Sequence, residues 1–315
     1  MRSMGEKAMA QMPSQPQLSY PRLMVETYLD LVDSRRRYVQ RVKSYERLGT
    51  AWPGPTSIID VFDNLIKMVR AEVEAWVKGQ PVYDAWMRDI KGLGPINAAQ
   101  LITMAHYSRF PNPSKLWKYC GLAPVDGKIP KKRRGQKGVK FKLKAIVCYK
   151  IGWMGFIYKN SVYRLLYDDF YQSYKTRVYE DNPLNRLGDV LAEPYGRYKA
   201  GTVLDQRKAM WLIDHGVTRV KVVPKPAHAM KMALIKMVKI FLCHYWLVGR
   251  WLDGLDITTP WIIQYGGHGD IYPPMVDKPE PMVWPNFWEI KDALEEELGR
   301  KLSIVVPKGV RVKEE

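Results

Sequence analysis

"KGLGPINAAQLI", Lys91 to Ile102, decides how this chain is read. Two glycines bracket one leucine, a proline follows, and small and apolar residues then recur at helical spacing. Glycine supplies backbone conformations that a side chain would forbid. The pattern therefore predicts a short helix over Val82–Ile90, a tight turn, and a second helix over Asn97–His106. Ile96, Ala99, Leu101 and Ile102 are the residues expected to pack the two helices together. Such a turn is either a plain connection or an anion-binding device. In the second case the free amides and partial positive charge of the second helix's N-terminus face a phosphate.

The charge distribution favours the device. The chain has 315 residues, 50 Lys and Arg against 32 Asp and Glu, and a formal net charge of +18. An excess of this size points to a polyanionic partner, nucleic acid before anionic membrane. It is also concentrated. Lys91 through Lys150 contain fourteen Lys and Arg and one acid, Asp126, so these 60 residues hold +13 of the total. The segment "GKIPKKRRGQKGVKFKLK" contributes Lys128, Lys131, Lys132, Arg133, Arg134, Lys137, Lys140, Lys142 and Lys144. Glycines at 127, 135 and 138 give it the freedom to follow a nucleic-acid backbone. With Lys91, Gly92, Leu93, Gly94, Ile96 and Asn97 of the turn, these residues are the candidate DNA-binding set. Each phosphate neutralised adds to a salt-dependent, sequence-independent affinity.

Other classes are disfavoured. Cys120, Cys148 and Cys243 lie far apart, with no C-x-x-C pair and no zinc-finger histidine spacing, so no metal, cofactor or disulfide framework is expected. The N-terminus lacks a signal-peptide apolar core. The most apolar stretch, Met232–Leu252, is interrupted by Lys236, Lys239, His244 and Arg250, and is expected to be a buried helix rather than a membrane span. An intracellular, nucleoid-associated protein is the expectation.

Punctuation by Pro and Gly divides the chain into a disordered 1–17, a coiled-coil-like helical hairpin over 18–86, a domain over 87–254 with an insertion at 178–226, and a Pro/Trp-rich extension over 255–315. The helical hairpin runs Tyr20–Leu48 and Ser57–Val77, with Arg35–Arg37 placed opposite the apolar stripe of Leu23, Tyr28, Leu31, Val32, Val39 and Val42. Ser114 is well placed to start a further helix. Lys140 to Arg177 reads helical, with a break near Asn160. Thr202–His215 is amphipathic, Ala227–Leu252 is the long apolar helix, and Asn286–Leu298 is an acidic one. "RVKVVP" and "LSIVVPKGVRVK" read as strands. The expected fold class is mainly α, with small β or irregular additions in the insertion and tail.

The order of motifs in "IKGLGPINAAQLITMAHYSRFPNPSKLWKYCGLAPVDGKIPKKRRGQKGVKFKLKAIV" resembles the C-terminal transposase domain of the insertion-sequence transposases, also called bridge recombinases. The likeness extends over roughly 89–177 and, through "PAHAMKMALIKMVKIFLCHYWL", over 225–250. It implies a helix-hairpin-helix domain acting on DNA, in a family that also works with structured RNA.

Two departures bear on catalysis. The resemblance implies a preceding resolvase-like domain with four acidic metal ligands, whereas about 85 residues precede the motif here and they read as helices. Glu26, Asp30 and Asp33 share one helical face, which is better read as solvated than as a metal site. The resemblance also implies a serine nucleophile after "GLAP", where this chain reads "VDGKIP". From Lys115 to Asn160 there is no Ser or Thr, and Ser114 and Ser161 flank that gap. Tyr119, Tyr149 and Tyr158 carry hydroxyls but read as core or stacking residues. Asp168 and Asp169 diverge on a helix. His106 and His244 lie in apolar helices, His268 in a glycine loop, and the tail tryptophans Trp261, Trp284 and Trp288 suit a core or interface. The reading is a DNA-binding protein without catalytic residues of its own. Two alternatives stand beside it: a recombinase using a non-standard nucleophile or a separate catalytic subunit, and a structured-RNA-binding or assembly protein. A homo-oligomer through the helical hairpin or tail is the expected protein partner.

Overall fold

The computed structural model describes residues 20–124, 139–176, 188–191, 203–204, 211, 221–224, 226–258 and 270–312. The expected disorder of 1–17 and most of the amphipathic Thr202–His215 segment lie outside them. The fold is mainly α, as expected, and divides into two compact units, Met1–Lys78 and Gly79–Glu315.

In the first unit α1 (Tyr20–Arg47) and α2 (Ile58–Lys78) flank a Gly/Pro turn. Arg35 donates two bonds to Asp63, at 2.5 and 2.8 Å, Tyr38 packs on Phe62, and Tyr28 lies beside Arg70. Numbers fall on α2 as they rise on α1, so the pair is antiparallel. Trp52 fixes the turn by setting its ring edge-on to both Tyr38 and Tyr45. Arg35 thus reaches across to α2 rather than to the solvent side expected for Arg35–Arg37. Glu26 and Asp33 pair with Arg22 and Arg36 of their own helix, which is how a solvated face behaves.

The second unit begins with α3 (Pro81–Ala85), a 3₁₀ turn at Met87–Asp89 and α4 (Pro95–Met104). Next comes α5 (Pro113–Tyr119). Its cap is Asn112, whose side chain accepts from the Lys115 amide at 3.1 Å, and not Ser114. Asn ranks at least with Ser as a cap, and Pro113 is preorganised for the first helical position. The segment after Lys140 is three pieces: α6 (Val139–Ala145), a π helix over Ile146–Ile157, and α7 (Val162–Thr176). The break falls where expected, with Asn160 in the left-handed region at φ 55°.

The insertion contributes a three-stranded antiparallel sheet, with β1 (Gly188–Leu191) between β2 (Val203–Leu204) and β3 (Lys221–Pro224). The long helix α8 (Pro226–Leu252) is apolar and long enough to cross a membrane, but it is a core helix: Ala233, Met237, Phe241, Tyr245 and Trp246 are all fully buried. The tail forms β4 (Asp270–Ile271), β5 (Met275–Val276), β6 (Met282–Val283), α9 (Phe287–Leu298) and β7 (Ser303–Ile304). β7 pairs in parallel with β4, and of the alternating "LSIVVPKGVRVK" only Ser303–Ile304 form a strand, while Arg311 adds an isolated parallel bridge to Met282.

Phe241 is the centre of this unit. Trp86 after α3 stacks on it at 5.8 Å, while Phe156 of the π helix and Tyr163 of α7 meet it edge-on at 4.9 and 5.4 Å. Each such pair contributes on the order of 1 kcal/mol beyond its buried area. The tail closes over α3, because Trp86 Nε1 donates to the Met275 carbonyl and Trp284 Nε1 to that of Ala85.

Candidate nucleic-acid interface

The two glycines of the turn have different jobs. Gly92 sits at φ 84°, and a Cβ there would overlap the carbonyl of Gly155. A Cβ on Gly155 would in turn lie 2.7 Å from the Gly92 oxygen. The turn and the π helix therefore touch backbone to backbone. Gly94 has φ −71°, a conformation open to any residue, and a Cβ there would meet nothing within 4 Å. Conformational freedom is needed at Gly92 alone; Gly94 leaves the approach to α4 open.

One carboxylate locks this arrangement. Asp277, after β5, accepts from the Lys91 amide at 2.7 Å, from the Ser161 hydroxyl at 2.9 Å and from the Val162 amide at 2.7 Å. Its own amide donates to the Asp89 carbonyl at 2.9 Å. It thus caps α7 and holds the start of the turn. Ser161, one of the two hydroxyls nearest the serine-free stretch, is 2 % exposed and committed to this cap. Ser114 is exposed in the first turn of α5.

The candidate residues sort accordingly. The Lys91 side chain is exposed although its amide is used. Leu93 is buried and its amide bonds to the Ile90 carbonyl, so it packs the turn. Gly94 is exposed, and Ile96 and Asn97 are half-buried at the start of α4, which has Pro95 in its first turn and no side-chain cap. Ala99, Leu101 and Ile102 are buried as expected. Lys140, Lys142 and Lys144 lie on α6, with Lys142 exposed and Lys144 half-buried. Lys128, Lys131, Lys132, Arg133, Arg134 and Lys137 lie outside the described residues.

Several residues that shape this region escape sequence reasoning: Asp277, Gly155, and Lys150, whose ammonium donates to the buried Gln100 at 3.1 Å. Nothing in the sequence links Lys91 to a carboxylate 186 positions away. Tyr149 and Tyr158 are 61 % and 70 % exposed, so neither is core.

The other polar groups are structural. His244 is buried, accepting from the Tyr163 hydroxyl at Nδ1 and donating from Nε2 to the Tyr272 carbonyl; burial pushes its pKa down to about 4. His106 follows α4 instead of lying within a helix, and burial lowers its pKa too. Burial raises the thiols of Cys120 and Cys243 to about 12 and that of Cys148 to about 11. Asp168 is tied to Arg164. Among the described residues no three His, Cys, Asp or Glu are grouped to hold a metal ion. Trp284 is buried; Trp261 and His268 lie outside the described residues.

One stretch thus joins an open helix start, a rigid turn and the most basic part of the chain. Residues 84–148 match the transposase IS116/IS110/IS902 family. The likeness spans 65 of the 315 residues. The match runs from α3 through the glycine turn, α4, α5 and the basic segment into the first turn of the π helix, so it covers the whole candidate set. Comparison with curated proteins and with solved structures finds no match.

Proposed function

We propose that this transposase-related chain binds DNA through its phosphate backbone, with low sequence preference, and does not itself cut it. Lys91, Gly94, Ile96 and Asn97 present the uncapped start of α4 to one phosphate. The basic segment Lys128–Lys144 follows the neighbouring ones. The observation that carries the reading is the pairing of an open Gly94 with a turn held rigid by Gly155 and Asp277, inside the segment matched to a transposase family. A preformed amide site costs little ordering on binding, and the basic segment adds counterion release.

The test is binding to duplex, branched duplex and folded RNA of equal length over a range of salt. Tighter binding to the DNAs, with little dependence on their sequence, supports the reading; preference for folded RNA would replace it with the RNA alternative. A covalent adduct on nicked duplex would instead assign a recombinase. The exposed Val61, Leu65 and Met68 on one side of α2 support pairing of two copies through the helical hairpin, which sedimentation of the full chain tests.

A further inference from the structure

The π helix carries an exposed row that the phosphate grip does not use. Tyr149, Met154 and Tyr158 are the large apolar side chains exposed along it and at its end, at 61, 41 and 70 %. Their spacing is five and then four. Nine residues make about two and a half turns of an α-helix, which would put the tyrosines on opposite sides. They make about two turns of a π helix, where each amide bonds five residues back. The Tyr158 amide does bond the Trp153 carbonyl, at 2.9 Å. The wide winding therefore aligns two tyrosines and a methionine on one face. It also seats Val147, Ile151 and Phe156 in the core, and Gly155 against the turn.

The surroundings select the occupant. Residues 127–167 hold twelve Lys and Arg and no acid. Lys142 is exposed on α6 immediately before this face, and the Lys159 ammonium lies 5.5 Å from the Tyr158 ring centroid. An apolar protein surface gains little from such a border, whereas a polyanion with flat apolar rings gains from both parts. We propose that Tyr149, Met154 and Tyr158 form a stacking track for the unpaired bases of single-stranded DNA, with Lys142 and Lys159 on its phosphates. Aromatic rings in a basic groove accept any base. This inference rests on the DNA-binding reading and deepens it by adding a second DNA form on a neighbouring face that shares Lys142 with the phosphate grip.

The experiment measures fluorescence anisotropy of the full chain with labelled oligothymidylate and with duplex, for the parent, Tyr149→Ala/Tyr158→Ala, Tyr149→Phe/Tyr158→Phe, and Lys131–Arg134→Ala. The alanine pair should weaken oligothymidylate binding by roughly 10-fold or more, leaving duplex affinity and the salt slope unchanged. The phenylalanine pair, which keeps rings and loses hydroxyls, should bind like the parent. Parent-like binding of oligothymidylate by the alanine pair would overturn the track, as would equal losses on both DNAs. Failure of the track with duplex binding still sensitive to Lys131–Arg134 leaves the phosphate grip standing; absence of any DNA binding removes both.

Discussion

Gly92 and Gly155 meet backbone to backbone, the turn in its left-handed conformation pressed against the π helix with no room for a Cβ on either residue. Gly92→Ala combines a strained φ with a clash against main chain, so a loss of stability of about 2 kcal/mol or more is expected. Gly94→Ala should cost about 1 kcal/mol or less, because only its capping role is touched. Urea unfolding midpoints of the two variants separate these outcomes; equal midpoints would contradict the division of labour between the glycines.

Asp277 accepts three hydrogen bonds from two separate segments. Asp277→Ala should destabilise the fold by about 3 kcal/mol and speed hydrogen exchange at the Lys91 and Val162 amides together. Asp277→Asn keeps one acceptor oxygen and should lie between. Acceleration at Val162 alone would mean that the turn holds itself.

His244 makes stability fall in mild acid. Its folded pKa of about 4 lies below the ordinary 6.5, so the unfolded chain binds more protons between those values. The contribution is intact above about pH 6.5 and is lost as pH falls toward 4. At pH 5 the loss from this group alone is about 2 kcal/mol relative to pH 7.5. His244→Gln, which can still accept from Tyr163 and donate to Tyr272, should flatten that part of the pH–stability curve. An unchanged acid limb would place its origin elsewhere.

Cys120 is fully buried and should be silent to a thiol-reactive dye at pH 8 in the folded protein, while the half-buried Cys148 and Cys243 should react slowly; all three should react fully in denaturant, since burial raises each thiol in the fold. Native labelling of Cys120 as fast as in denaturant would contradict this.

Much of the fold is legible in the sequence because helix ends carry local signals. The Gly/Pro turn between α1 and α2, the break at Asn160 and the start of α9 at Asn286 fall within a residue or two of their expected places. What is not legible depends on distant partners. "IVCYKIGWMGFI" reads as an apolar helix of any winding; only the seat of Gly155 against Gly92 shows why the wide one is used. "LSIVVPKGVRVK" alternates along its length, yet it pairs only at its two ends, Ser303–Ile304 with β4 and Arg311 in a single bridge to Met282 of β6. Arg35 reads as solvated until Asp63 of the next helix is placed opposite it. At the candidate site the charge and the glycines are visible in one dimension, while Asp277 and the exposed tyrosine row exist only in three.

The proposed phosphate grip combines the α4 turn with the basic segment. The most direct test is the slope of log affinity against log salt for a duplex, compared between the parent and Lys131–Arg134→Ala. The parent slope should be steep and should flatten by about 0.9 for each phosphate contact removed, with affinity falling alike on unrelated sequences. A variant with the parent's slope and affinity would contradict it.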